Sequence, residues 1–152
     1  MSRFKLDWVL NNELAIGPAP RKALHFEYLK QKNIKSIVNL CTEEEAPILE
    51  GVKETFQFKR FVLPDHKVNK DILISEINEI ISIIELFIKK GPVFVHCFAA
   101  IERSPLICMS WLIAKHKLSP QRALDYLMQV HPRTNPLPEQ FKLLTEFKKT
   151  LH

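Results

Sequence analysis

Short apolar runs alternate along the chain with longer segments whose apolar residues recur every three or four positions. The short runs are rich in β-branched and aromatic residues, and Pro, Gly, Asn or Asp stands near most of their ends, which is typical of strands. They predict strands at residues 7–10, 13–16, 34–40, 56–63 and 93–96. The longer segments predict helices at residues 22–32, 71–89, 105–116, 120–130 and 138–151.

The predicted helices carry local signals that support them. Ser119 followed by Pro120 is typical of an N-cap and a first helical position, and Pro105 stands near the start of another helix. The alternation of strands and helices predicts an α/β layer fold. A length of 152 residues fits one domain, which we expect to span residues 1–152.

Composition narrows the class of protein. Hydrophobic residues make up 46% of the chain and charged residues 26%, as in an ordinary globular domain. The first residues lack the apolar core of a signal peptide, and no apolar run approaches the roughly 20 residues of a membrane-spanning helix. We therefore expect a cytoplasmic protein without a membrane partner. The net charge of +5 is spread along the chain, so we expect no nucleic-acid partner.

The cysteines do not form a recognisable framework. Cys41, Cys97 and Cys108 are odd in number and widely separated, unlike the paired spacing of a disulfide scaffold or a zinc site. The histidines show no metal-ligand spacing either. We expect reduced thiols, no metal and no cofactor.

One segment combines a nucleophile with an anion site. Residues 93–105 predict a strand, a tight loop and the start of a helix, with Cys97 at the strand end and Arg103 at the helix start. A loop that leads into a helix presents unpaired N–H groups and the positive end of the helix dipole. Both this field and Arg103 favour the thiolate form of Cys97, and the guanidinium can bind two phosphate oxygens.

The segment from His96 to Ser104 resembles the signature of the protein tyrosine phosphatase superfamily, which is His-Cys, five residues, then Arg and Ser or Thr. The likeness to the small dual-specificity branch covers nearly the whole chain. It implies a central, mostly parallel five-stranded sheet flanked by helices. It also implies that Cys97 is the nucleophile, Arg103 the phosphate clamp and Ser104 the hydroxyl that eases departure of the thiolate. His96 would position the Cys97 backbone, and phosphate would lie over Phe98, Ala99, Ala100, Ile101, Glu102 and Arg103.

The same resemblance implies roles for one residue upstream of this segment and one residue downstream of it. Asp65, in Leu-Pro-Asp-His, lies 32 residues before Cys97 and is similar to the family's general acid. A carboxyl group near the leaving oxygen can supply the proton that the departing group needs. Asn135 is similar to an asparagine that supports the phosphate loop, although a role in the turn between two helices is an alternative.

Two residues depart from the family pattern. Ala100 stands where Gly is usual, and a methyl group there can narrow or stiffen the loop. Glu102 places an anion in a loop that receives a dianion, unless it points outward to pair with Arg103 or assists proton transfer. A Glu before the Arg also occurs in the cell-division-cycle phosphatases of rhodanese-like fold, but Asp65 favours the dual-specificity branch.

These observations favour a monomeric, cysteine-dependent phosphatase acting on phosphotyrosine or phosphoserine/threonine in proteins, or on a small phosphomonoester. One alternative is a weak, phosphate-binding pseudophosphatase. Another is a phosphatase for nucleic acids or phosphoinositides. Cys41 follows a predicted strand in Asn-Leu-Cys, as in the lipid-phosphatase branch related to tensin, which makes it a candidate redox partner of Cys97. Packing is the alternative role.

Overall fold

The computed structural model describes residues 3–151, which form an α/β domain. The strands are β1 (Asp7–Leu10), β2 (Leu14–Gly17), β3 (Ser36–Asn39), β4 (Gln57–Arg60) and β5 (Val93–His96). The helices are α1 (Ala23–Gln31), α2 (Val52–Thr55), α3 (Ile74–Ile88), α4 (Arg103–His116), α5 (Pro120–Val130) and α6 (Pro138–Lys149). Within the described residues, no helix is both long enough and apolar enough to cross a bilayer.

The five strands form one sheet in the order β1-β2-β5-β3-β4. Only the β1–β2 pair is antiparallel, and the remaining pairs are parallel. This confirms the predicted fold. In the register, His96 at the end of β5 lies opposite Gly17 on one side and Asn39 on the other. The loop that follows β5 therefore leaves the middle of the sheet at the carboxyl edge of its parallel strands, where α/β folds bind ligands.

Helix α4 forms the centre of the larger hydrophobic core. Every residue from Arg103 to Ile113 is buried, and the helix contacts β2, β5, α3, α5 and α6. On the opposite face of the sheet, a smaller core joins Leu29 of α1 to Ile37, Val52 and Phe94. A helix enclosed on all sides is held rigidly, so its first turn is a firm support for the loop before it.

Several element boundaries differ from the sequence prediction. Strands β3 and β4 are shorter than predicted, since they span only Ser36–Asn39 and Gln57–Arg60. The four-residue helix α2 was not predicted; it follows Gly51, whose φ of 89° lies in the left-handed region. Helix α4 begins at Arg103, two residues before Pro105. The predicted cap of α5 is confirmed, since the Ser119 hydroxyl accepts from the Arg122 N–H.

Candidate active site

The loop between β5 and α4 holds Cys97 at its base. Cys97 is 2% exposed, and its Sγ lies 3.2 Å from Ser104 Oγ. The ring of His96 lies behind it, with Nδ1 3.0 Å from the Cys97 carbonyl oxygen. Burial lowers the pKa of His96 to about 4, so the ring is neutral near pH 7 and Nδ1 is the donor to that carbonyl. Ser104 and His96 thus both contact Cys97.

Arg103 is buried and is held by several acceptors. Its Nη2 donates to Glu45 Oε2 at 2.7 Å, and its Nη1 donates to Glu45 Oε1 at 3.1 Å and to the Leu63 carbonyl at 3.2 Å. Burial alone would lower the pKa of Arg103, but the hydrogen bonds that it donates to Glu45, together with the electrostatic effects of Cys97, Cys41 and Glu45, outweigh burial and raise the pKa. Among the described residues, no acceptor contacts Nε or the second Nη2 proton. These two N–H groups share one edge of the guanidinium, which leaves a fork for two phosphate oxygens.

Glu45 was missed by the sequence analysis. It belongs to the acidic run Glu43-Glu44-Glu45, which is typical of a solvated turn and carries no spacing signal. In the structure its carboxylate also accepts from the Thr42 N–H at 3.0 Å. The hydrogen bond from Arg103 lowers the pKa of Glu45, so the carboxylate is ionised beside the guanidinium. Glu45 is therefore a positioning residue for Arg103.

Asp65 and Cys97 line the same pocket. The pocket has a volume of about 360 Å³ and is lined by Glu45, Asp65, His66, Lys67, Cys97, Phe98, Ala99, Ile101, Glu102 and Arg103. Asp65 Oδ1 accepts from the Lys67 N–H at 2.8 Å, which fixes the orientation of the carboxyl group. The structure thus brings the candidate acid and the candidate nucleophile to one cavity.

Glu102 connects the loop between β5 and α4 to the loop of Asp65. Its Oε1 accepts from the His66 N–H at 2.9 Å and lies 3.5 Å from His66 Nδ1. The suggested pairing with Arg103 is wrong, because Arg103 is bound to Glu45 instead. Glu102 therefore holds the loop of Asp65, the candidate acid loop, against the loop of residues 97–102, the candidate phosphate loop.

Ala100 adopts the conformation that favours Gly. Its φ of 59° lies in the left-handed region, which costs an alanine roughly 1–2 kcal/mol. The Ala100 carbonyl accepts from His131 Nε2 at 2.6 Å. Sequence reasoning missed His131.

Asn135 does contact the loop, but through its backbone N–H, which donates to the Ile101 carbonyl at 2.9 Å, while its side chain is exposed.

Cys41 is fully buried two residues beyond the end of β3. Its N–H donates to Asn39 Oδ1 at 2.8 Å, and all three cysteines are free thiols. Burial raises the pKa of Cys41 to about 12, despite the opposing effect of Arg103. Cys97 is also buried. A role for Cys41 as its redox partner requires that an oxidant reach the Cys97 thiol, and the structure leaves that thiol little exposed. Within residues 3–151, no cluster of three His, Cys, Asp or Glu side chains could hold a metal ion.

A family model for the dual specificity phosphatase catalytic domain matches residues 16–150. The human phosphatidylglycerophosphatase and protein-tyrosine phosphatase 1 is 22% identical over 95% of this chain and 75% of its own length. Human dual specificity protein phosphatase 5 is 42% identical over 48 residues, which are 32% of this chain and 12% of that protein. The crystal structure of PTPMT1 in complex with PI(5)P superimposes with a TM-score of 0.83 at 18% identity, covering 95% of both chains.

Proposed function

This chain belongs to the dual specificity phosphatase family, and we propose that it hydrolyses phosphate monoesters through a phosphorylated Cys97. The observation that carries the proposal is the position of Cys97 Sγ at the base of a pocket that also contains Arg103 and Asp65. A nucleophile, an oxyanion clamp and a proton donor are the parts that such a reaction requires.

In the first step, the Cys97 thiolate attacks phosphorus. The S–P bond forms while the bond from phosphorus to the ester oxygen breaks, and the leaving oxygen takes a proton from Asp65. The free Nε and Nη2 edge of Arg103 binds two of the equatorial oxygens, where negative charge is concentrated in the transition state. The first turn of α4 adds its N–H groups and the positive end of its dipole.

In the second step, water attacks the phosphocysteine. The Asp65 carboxylate accepts a proton from the water, the new P–O bond forms, and the S–P bond breaks to release inorganic phosphate. Ser104 Oγ, 3.2 Å from Cys97 Sγ, donates a hydrogen bond to the departing thiolate. This stabilises the leaving sulfur and returns the site to its starting state.

Replacement of the nucleophile tests the proposal. Cys97→Ser should bind inorganic phosphate but lose turnover of an aryl phosphate, because no neighbouring base can activate the serine hydroxyl. Cys108→Ser is the matched control, since Cys108 is also a buried thiol but lies inside α4 away from the pocket. Trapping of a phosphoenzyme by rapid acid quench should succeed for wild type and fail for Cys97→Ser. Turnover by Cys97→Ser at a rate near wild type would exclude the covalent route.

A second substrate class is favoured by Lys67. The phosphate loop itself contains no basic residue between Cys97 and Arg103, but Lys67 lines the same pocket from the acid loop. An ammonium group there can bind a second phosphate, as a phosphoinositide would offer, and the relatives named for lipid phosphates point the same way. Turnover across phosphopeptides, inositol phosphates and phosphoinositide vesicles, for wild type and Lys67→Gln, would separate the classes. If Lys67→Gln loses turnover selectively with doubly phosphorylated substrates, the result supports phosphoinositides as the substrate class.

The same assays separate an enzyme from a pseudophosphatase. Wild-type protein that binds phosphate but forms no phosphoenzyme, and releases no phosphate from any of these substrates, would be a phosphate-binding module rather than a catalyst.

A further inference from the structure

His131 is buried between two parts of the chain that are distant in sequence. It follows directly after α5 and is 2% exposed. Its Nδ1 lies 2.6 Å from Asp7 Oδ2 on β1, and its Nε2 lies 2.6 Å from the carbonyl oxygen of Ala100 in the phosphate loop. A carbonyl oxygen can only accept a hydrogen bond. Nε2 therefore carries a proton and donates a hydrogen bond to this carbonyl. This holds whether the proton between Nδ1 and Asp7 belongs to His131 or to Asp7.

This hydrogen bond determines which way one peptide unit of the loop faces. In a trans peptide, the carbonyl of one residue and the N–H of the next point in opposite directions. With the Ala100 carbonyl held on the His131 side, the N–H of Ile101 is directed to the other side of the loop. Ile101 lines the pocket, so this places a backbone donor where phosphate oxygens would bind.

Neighbouring peptide units are held in a similar way, but by backbone donors. The N–H of Ala19 donates to the Phe98 carbonyl at 3.0 Å, and the N–H of Asn135 donates to the Ile101 carbonyl at 2.9 Å. The carbonyl of Ala100 instead receives its hydrogen bond from a side chain, as the carbonyl of Cys97 does from His96. Ala100 is also the residue whose left-handed φ an alanine adopts reluctantly. The least favourable turn of the loop thus depends on the identity of one residue, His131.

We propose that His131, oriented by Asp7, is a positioning residue of the phosphate loop that holds the Ala100–Ile101 peptide so that its N–H faces the substrate phosphate. This rests on the proposed function for its catalytic meaning, but its effect on oxyanion binding does not require turnover.

Two substitutions of His131 test the roles of its two ring nitrogens separately. In His131→Gln, the amide nitrogen can reach the position of Nε2 and still donate to Ala100. In His131→Asn, the amide nitrogen can reach the position of Nδ1 near Asp7 but not Ala100. We expect His131→Asn to weaken binding of inorganic phosphate about 10-fold, the effect of losing one well-aligned donor. His131→Gln should recover most of that loss, and the exposed His116→Asn serves as control.

Phosphate affinity is measured by calorimetry in the Cys97→Ser background, and kcat and KM for an aryl phosphate in the active background. Melting temperatures of all variants are compared. If His131→Asn unfolds, Asp7→Asn and Asp7→Ala replace it, because Asn can still orient a neutral ring and Ala cannot. We then expect tighter phosphate binding in Asp7→Asn than in Asp7→Ala.

Coupling to Ala100 provides a readout that a merely structural role would not change. Ala100→Gly relaxes the turn, so the loss of phosphate affinity caused by His131→Asn should shrink in the Ala100→Gly background. Equal phosphate affinities for the Gln and Asn variants, with no coupling to Ala100, would overturn the positioning role. If the Gln and Asn variants differ in phosphate affinity but the wild-type protein turns over no phosphate ester, the positioning role of His131 is supported and the proposed function is rejected.

Discussion

Glu45→Gln tests how strongly Arg103, the proposed phosphate clamp, depends on a residue outside the signature. The substitution keeps an acceptor near Arg103 but removes the negative charge and places an amide NH₂ against the guanidinium. Exposed ion pairs contribute about 0–1 kcal/mol, whereas breaking a buried pair costs about 3–5 kcal/mol. Arg103 is 3% exposed and Glu45 is 24% exposed, so this pair lies between the two cases. We expect the free energy of unfolding to fall by about 2 kcal/mol.

For a protein of this size, a loss of that magnitude lowers the melting temperature by about 4–8 °C. The same substitution should lower kcat/KM for an aryl phosphate by about 10- to 100-fold, because the Nε and Nη2 edge would no longer be held toward the pocket. Glu43→Gln is the matched control, since Glu43 lies in the same turn and pairs with Arg60 at 2.6 Å but is 58% exposed. Its effects on melting and turnover should be small.

The pH dependence of melting identifies the charge as the cause. The pKa of Glu45 is lowered in the folded state by the hydrogen bond from Arg103, so its stabilisation is complete above the ordinary value of 4.5 and is lost as the pH falls below that value. The difference in melting temperature between wild type and Glu45→Gln should therefore be present at neutral pH and shrink as the pH falls below 4.5. A difference that persists unchanged at low pH would refute an electrostatic role for Glu45.

Three further outcomes are expected. Asp65→Asn should lose on the order of 100-fold in kcat for poor leaving groups and less for good ones, and a loss independent of leaving-group pKa in steady-state assays would make Asp65 structural. Glu102→Gln should tighten inhibition by phosphate, since it removes a negative charge but keeps an acceptor for His66; unchanged inhibition would show that the charge is not felt at the phosphate. Because burial raises the pKa of Cys41 to about 12, a peroxide-induced disulfide with Cys97 should form faster as the pH rises, and its absence from non-reducing peptide maps at every pH would leave Cys41 a packing residue.

Local sequence signals were sufficient for the centre of the site. The strand β5, the loop and the start of α4 are consecutive in the chain, so one continuous motif predicted their arrangement and the adjacency of Cys97, Arg103 and Ser104. The apolar stripe of α3 and the Ser-Pro start of α5 were equally local signals. Predictions that depend on residues a few positions apart hold because chain connectivity leaves little freedom.

The two residues that hold the loop and the arginine in place were not predicted. Glu45 is 58 positions from Arg103, and His131 is 31 positions from Ala100. Neither lies at a spacing that a motif defines, because each reaches its partner only through the order of strands and the packing of α5. Glu102 illustrates the same limit: its neighbour in sequence is Arg103, but its partner is His66 across the pocket.

The charges of the pocket explain why backbone geometry matters in this chain. Two cationic side chains, Lys67 and Arg103, line the pocket together with three carboxyl groups, of which those of Glu45 and Glu102 are counted as anions and that of Asp65 is the proposed proton donor. The side chains therefore supply no net positive charge to hold a phosphate dianion. Binding must depend on directed hydrogen bonds from the Arg103 edge and from the loop N–H groups, which are short-range and little affected by salt. Phosphate binding by a loop with this charge balance is therefore sensitive to the orientation of its peptides. For this reason we expect a fixed Ala100–Ile101 peptide to raise the affinity for phosphate.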